Sequence, residues 1–373
     1  MDTMEAEAGS ATLYDLLGRH WKVGAPVTNV AFDAAGKAVA FALADGSLAI
    51  APLVDSEPPI DRCRIALDEG RATISPRRNP VPPLTKVVIS DGRLHLASVK
   101  PSGFIASDGG ELLHVSTAGV TRQISRLRAA IDLVVPVCAG GVLVSSGGSL
   151  IHYQPNGEIG WVQERGGGNS SAMAVSPDGR NFAIGADGCL LIRSFGARPE
   201  PAASFDVGLV STLSWSPDGS WLAASVENAG VVLVRLADAR IVRIPTYPAN
   251  VASLSWSADS RALVTSGAYR IIAWDVSSLA DGSEKPTNLA TGRARFVLAD
   301  TVDIHPERQL VAAGYADGMV AIAKIGHSDE MVVRPPGGGA IHALQWSSDG
   351  QHLAVGTSEG EAAIVTFPPH VFK

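Results

Sequence analysis

Leu213-Ser214-Trp215-Ser216-Pro217-Asp218-Gly219 is the stretch that decides the fold. Apolar and small side chains alternate up to Trp215, as they do in a half-buried strand. The next four residues form a turn: Pro217 presets φ, and Gly219 accepts a positive φ. A second apolar run follows from Ser220 to Val226. The segment therefore reads as two antiparallel strands joined by a tight turn.

The same sentence recurs along the chain. Leu254-Ser255-Trp256-Ser257-Ala258-Asp259-Ser260 and Leu344-Gln345-Trp346-Ser347-Ser348-Asp349-Gly350 are close copies. Ala172 to Gly179, Val30 to Gly36 and Val302 to Arg308 are looser ones. Anchoring each copy on the residue four before the turn Gly, or its equivalent, gives Phe32, Val99, Val137, Val175, Trp215, Trp256, Ile304 and Trp346. Their spacings are 67, 38, 38, 40, 41, 48 and 42 residues. A period of roughly 40–45 residues marks a sheet that cannot bury its faces alone and must stack on like sheets. Val99 and Val137 stand in degenerate copies, so the count is eight units, with seven as the alternative.

The long first interval carries about 25 surplus residues against that period. They fall between Pro52 and Arg93 and include Arg77-Arg78-Asn79-Pro80-Val81-Pro82-Pro83. This predicts an insertion within about residues 53–93, between units one and two, with an extra strand at Lys86–Ser90. Within unit five the strands are expected at Val210–Ser216 (a), Ser220–Val226 (b), Gly230–Leu236 (c) and Arg240–Ile244 (d). The pairs Asp45-Gly46, Asp108-Gly109, Asp187-Gly188 and Asp317-Gly318 fall at the b–c hairpins, where Asp-Gly suits the turn. In unit eight Ala340–Trp346, Gln351–Thr357 and Glu361–Phe367 supply only three strands. Thr12–Val23 belongs to no unit of its own. It is expected to add the missing outer strand and close a ring, which removes a bare sheet edge. Residues 1–11 are expected to be a flexible tail and 12–373 a single domain.

Composition agrees with an all-β chain rich in turns. Of 373 residues, 46% are hydrophobic and 18% charged, with 39 Gly and 23 Pro. The net charge of −7 lacks the basic footprint of a general nucleic-acid binder, so no nucleic-acid partner is expected. Cys63, Cys138 and Cys189 form no CxxC pair and read as reduced thiols. The first ten residues hold no apolar run, and the most apolar stretch, 129–146, is broken by Asp132, Pro136 and Gly140-Gly141. No membrane association is expected, and the cytoplasm is the expected location.

With its Ser-Pro-Asp-Gly turns, its Trp274-Asp275 dipeptide in strand c and its b–c Asp-Gly pairs, the chain resembles the WD40 repeat family from about Thr12 to Phe367. The segments Tyr247 to Trp256, Ala312 to Gly318 and Arg334 to Ile341 resemble compact single-domain bacterial members most. The resemblance implies a WD40-type β-propeller, a rigid platform that binds proteins or peptides and performs no chemistry. Two departures stand out. One unit alone keeps the Trp-Asp dipeptide, and none keeps the Gly-His pair that completes a buried polar network in the family. The blades are therefore expected to rely on apolar packing.

Trp215, Trp256 and Trp346 occupy one register and are expected to pack between blades rather than to bind a ligand. In WD40 propellers the d–a and b–c loops share one face. The d–a connections here carry Arg126, Arg128, Arg165, Tyr247, Arg293, Arg295, Phe296 and Arg334. Arg, Tyr and Phe are favoured in interface cores, and Arg pairs with carboxylate or phosphate. These eight residues are the expected partner-binding set, the partner being a protein or an acidic or phosphorylated peptide. Solvated loop charges, offset by Asp45, Asp187, Asp317 and Glu359, are the competing reading.

Gly166-Gly167-Gly168 and Gly337-Gly338-Gly339 lack the Lys-Ser/Thr that follows a phosphate loop and read as flexible loops. The nine histidines make no HExxH and no triad grouping. The expected function is a non-enzymatic, monomeric interaction scaffold without cofactor, metal or catalytic residues. A metal-dependent propeller lactonase is the alternative from another class, and an accessory factor to a GTP-dependent metal chaperone is a third.

Overall fold

The computed structural model describes residues 11–65, 72–90, 92, 94–164, 168–196, 201–245, 247–280 and 283–372. The expected tail, 1–11, lies outside these residues except for Ala11. In unit five the strands run Val210–Trp215, Trp221–Val226, Gly230–Arg235 and Arg240–Ile244, within one residue of the boundaries read from the sequence. They pair antiparallel in the order a-b-c-d.

Eight such four-stranded sheets are present. The two degenerate units are true blades. His95–Ser98, Phe104–Asp108, Glu111–Val115 and Thr121–Arg126 form blade two, and Ile131–Pro136, Val142–Ser146, Ser149–Tyr153 and Ile159–Glu164 form blade three. Blade eight combines Ile341–Trp346, His352–Thr357 and Glu361–Thr366 with Gly18–Lys22, so the two chain ends share a sheet. Gly18 faces Val365 and Lys22 faces Glu361 in this register. The expected strand is shorter than read, because Leu13–Leu17 is a helix capped by Thr12 and Asp15.

The surplus residues are placed differently from the expectation. Thr85–Val88 pairs with Ser47–Pro52 as the outer strand of blade one, not as an extra strand. The insertion is therefore the c–d connection inside blade one and not a link between blades one and two. It carries a small hairpin, Cys63–Ile65 with Ala72–Ile74. Among the described residues the hairpin pairs with no blade, but its stem is tied to the helix that leads into the closing strand. Arg62 is buried and donates to the carbonyls of Leu16 and Ser75, both at 2.7 Å.

Each apolar cluster of the core draws on two neighbouring blades. One joins Ala183 and Leu190 of blade four to Trp215, Leu222 and Val232 of blade five. Another joins Val27 and Phe41 of blade one to Ala354 and Ile364 of blade eight. A single sheet has no core of its own, which is why stability depends on the whole ring. Trp215, Trp256 and Trp346 are buried in this seam as expected. The indole N–H of Trp215 donates to the Ala174 carbonyl, and that of Trp256 to the Ser214 carbonyl, both at 3.2 Å. Each reaches the inner strand of the preceding blade.

A polar network absent from the sequence reading accompanies this packing. The residue after the anchor is a buried serine in four blades: Ser176, Ser216, Ser257 and Ser347. Its hydroxyl donates to the turn aspartate (Asp178, Asp218, Asp259 or Asp349) at 2.5–2.6 Å. The same oxygen accepts the backbone N–H that starts strand b. Serine and aspartate thus satisfy donors that the turn would otherwise leave unpaired.

Candidate functional site

Because the strands alternate in direction, b–c turns and d–a connections emerge on one rim. Their backbones are bonded to each other. The Glu227 N–H donates to the Leu209 carbonyl at 2.9 Å, Ala316 to Leu298 at 3.0 Å, Ser358 to Ala340 at 2.8 Å and Gly337 to Asp317 at 2.7 Å. At the b–c turn of blade seven Gly318 has φ +89°, and a Cβ there would stand 2.1 Å from the Gly337 carbonyl oxygen. Only glycine permits that approach. The rim is therefore a rigid surface.

The expected binding residues divide on this rim. Arg165 lies outside the described residues. Arg126, which ends the outer strand of blade two, and Arg128, in the connection to blade three, are exposed, with Arg126 3.5 Å from Glu111. Arg293, Arg295 and Phe296 lie in the connection from blade six to blade seven, four blades further round. The set thus forms two separate groups across the ring.

Two members face inward, against expectation. Arg334 is buried and donates to the carbonyls of Gly318 and Gly337. It stands 3.6 Å from Glu361 and lies over the Tyr14 ring. The loop Gly337-Gly338-Gly339 wraps this guanidinium; a Cβ at Gly338 would sit 2.4 Å from its Nη2. Arg334, which ends the strand Glu330–Arg334, is a clamp on the seam between blades seven and eight, a place that its reading as a loop residue could not reveal. Tyr247 is half-buried, and its hydroxyl lies 2.9 Å from Thr265 Oγ1 and accepts from the Trp274 indole at 2.8 Å. Burial pushes its phenol up to about 12.

The blade six–seven group has a built character. The Arg295 guanidinium pairs with Glu330 and lies over the Tyr315 ring, while its backbone N–H donates to the Tyr269 carbonyl at 2.7 Å. Burial raises the Tyr315 phenol despite the neighbouring arginine. Phe296 is fully exposed, at 102%, and Tyr269 is 48% exposed. Sequence reading missed Tyr269. The available signal was the b–c turn of blade six, which replaces Asp-Gly by a longer loop with Ala268-Tyr269-Arg270 at its tip.

Inside the ring, a cavity of about 280 Å³ is lined by the inner strands of blades one, six, seven and eight, including Asn29, Asp300, Asp303, His342 and Gln345. Inner strands carry a β-bulge after their first residue in six blades, at Thr28, Asp132, Ser171, Ser211, Asp300 and His342. A bulge re-aims one side chain out of the alternating pattern, and a strict period-two reading of the sequence cannot show it. Burial raises the Asp300 carboxyl, with His342 opposing the rise. Burial pushes Asp303 up to about 6, although it accepts from the Trp346 N–H at 2.7 Å and the Ser255 hydroxyl at 3.0 Å.

Among the described residues no group of three or more His, Cys, Asp or Glu side chains is placed to hold a metal ion. The three cysteines are free thiols. No helix among the described residues is long and apolar enough to cross a membrane.

Residues 202–231 match the family model for the WD domain, G-beta repeat. No curated protein matches. Among solved structures, the computationally designed Ika8 protein shares 13% identity and a TM-score of 0.69, over 92% of this chain and 96% of its own. The C-terminal WD40 domain of Sif2 shares 14% identity and a TM-score of 0.66, over 94% and 98%. A chain of the mitotic checkpoint complex shares 13% and 0.56, over 73% and 89%. At these identities the likeness concerns the fold. Taken with the eight four-stranded sheets, it makes the chain an eight-bladed β-propeller in which residues 202–231 carry a recognised WD40 repeat.

Proposed function

We propose that this propeller is a non-enzymatic interaction scaffold that grips a partner protein or peptide on the rim of b–c turns and d–a connections. The observation that carries the reading is Phe296, a fully exposed aromatic on a connection whose neighbours are pinned by hydrogen bonds and an ion pair. A side chain so displayed adds nothing to the fold and offers a partner apolar area at little ordering cost. Arg126, Arg128 and Arg293 extend the same rim with exposed cations. One neighbour in fold belongs to a mitotic checkpoint complex, an assembly of proteins, which supports protein binding as the mode of action. A monomeric propeller in the cytoplasm, without cofactor, fits this role.

The test uses a photo-crosslinking residue placed in the full chain at Arg128 or Arg293, and at Arg180 on the opposite rim. Specific partner adducts from the first two positions and not from Arg180 support the reading. Adducts confined to Arg180 contradict it. The metal-dependent hydrolase alternative is checked by elemental analysis of the purified protein, where a stoichiometric divalent ion would favour it.

A further inference from the structure

We propose that Phe296, Tyr269 and Arg293 form the anchor of the docking rim, and that their ligand is a short segment carrying an apolar side chain next to an Asp or Glu. The inference rests on the reading of that rim as the docking face, and goes further by naming the anchor and the chemistry of its ligand.

The backbone of this connection is held along its length. The Thr291 hydroxyl oxygen accepts from the Gly326 N–H at 2.9 Å, and the Gly292 N–H donates to the His327 carbonyl at 2.8 Å. The Arg293 N–H donates to Glu330 at 3.1 Å. Arg270 donates to the carbonyls of Thr291 and Gly292. Beyond Phe296, the Ala299 N–H reaches the Ala268 carbonyl at 2.9 Å. A free loop would fold a phenyl ring back against apolar surface, and this one is held in water. The Tyr269 and Arg295 backbones are bonded together, so the second aromatic ring stands on the adjoining stretch of chain. Rigid aromatic side chains of this kind make interface hot spots.

Charge selects what lies beside the apolar group. Glu330 is the nearby carboxylate, and its side chain is 3% exposed and already paired with Arg295. Arg293 is exposed, and its guanidinium has no partner among the described residues. Arg270 donates only to carbonyls. Of the arginines here Arg295 is matched by Glu330, while Arg293 presents its guanidinium to solvent without a carboxylate partner among the described residues, on a chain of net −7. Local positive potential beside two rings favours a carboxylate adjacent to an apolar residue, and disfavours a basic segment.

The experiment pans a displayed library of random 12-residue peptides against the full chain, with Phe296→Asp as the counter-selection target. Winning peptides are expected to share an apolar residue flanked by Asp or Glu. Phe296→Ala and Arg293→Glu are each expected to weaken a winner at least tenfold, with an unchanged melting temperature. Arg126→Glu with Arg128→Glu, four blades away, is expected to leave it within twofold. Winners without an acidic residue, winners insensitive to Phe296→Ala, or no enrichment over the counter-selection would each overturn the proposal. In every one of those cases the docking rim itself still stands or falls separately, on crosslinking at Arg128.

Discussion

The indole N–H of Trp21 donates to the carbonyl of Pro82 at 2.7 Å, so the strand that completes blade eight is held by the longest loop of blade one. Arg19 strengthens the same contact. It is buried, donates to the Leu53 carbonyl at 3.2 Å and faces Asp55, which also pairs with Arg77. The insertion thus packs on the face of the closing strand that carries Arg19 and Trp21. Its stem therefore has a structural role in the ring, away from the b–c turns.

Removal of Arg62 should loosen this clasp. Its guanidinium bridges Leu16, ahead of the closing strand, and Ser75 in the insertion. Arg62→Ala is expected to cost about 1–2 kcal/mol, since it removes two charge-assisted hydrogen bonds made by a buried guanidinium to part-buried carbonyls. A urea melt reads this directly, and a loss below about 0.5 kcal/mol would show the clasp to be ornamental.

The serine hub makes a repeat-level prediction. Ser216→Ala removes a donor to Asp218 and the acceptor of the Trp221 N–H, and leaves that buried N–H unpaired. It is expected to cost about 1–2 kcal/mol, with the same sign for Ser257→Ala and Ser347→Ala. Ser220→Ala, at an exposed hydroxyl bonded to the same aspartate, should cost less than half as much. Equal effects at both positions would show that burial of the hub is not what matters.

Arg334 and Arg293 separate structure from recognition. Arg334→Ala leaves Glu361 beside Tyr14 without its guanidinium partner and empties the Gly337-Gly338-Gly339 loop. It is expected to cost about 2–3 kcal/mol through the lost bonds to the Gly318 and Gly337 carbonyls, since Glu361 keeps Lys22 as a partner. Arg293→Ala should stay within about 0.5 kcal/mol of the wild type, as surface changes do. Thermal melts of the two variants decide the matter, and the reverse order would refute the division of the arginines.

Asp303 gives a pH dependence with a definite sign. Its folded pKa of about 6 lies above its ordinary value of 3.8, so the folded state holds the proton more tightly than the unfolded state. Its contribution is greatest below pH 4 and is lost as pH rises toward 6, by about 3 kcal/mol for two units. Asp303→Asn has no proton to lose. The stability of the wild type relative to this variant should therefore fall between pH 4 and pH 6.5 and level off above. A difference independent of pH would contradict the shift.

The sequence made the blades legible because the repeat imposes one pattern on every inner strand and turn. Trp215, Trp256 and Trp346 share a register because each fills the same seam, and one register is visible without coordinates. Gly18–Lys22 was recoverable through arithmetic, since blade eight lacked an outer strand. The insertion was harder. Thr85–Val88 reads as surplus because its partner, Ser47–Pro52, lies some 35 residues back across a long loop. The site was the least legible part. Both Arg334 and Arg293 read from the sequence as loop residues, but Arg334 ends the strand Glu330–Arg334 and turns beneath Tyr14, while Arg293 lies in a connection and reaches solvent. Asp300 and His342 were hidden by bulges, which break the alternation a strand reader relies on.

The closed ring is the claim on which the docking rim depends, and hydrogen exchange followed by mass spectrometry tests it most directly. Those amides of residues 18–22 that point at 361–365 should be protected from exchange, while the alternate amides on the outer side of this edge strand exchange faster. Fast exchange at every amide of 18–22, with 352–357 still protected, would mean that the first strand does not close blade eight, and the ring would be open.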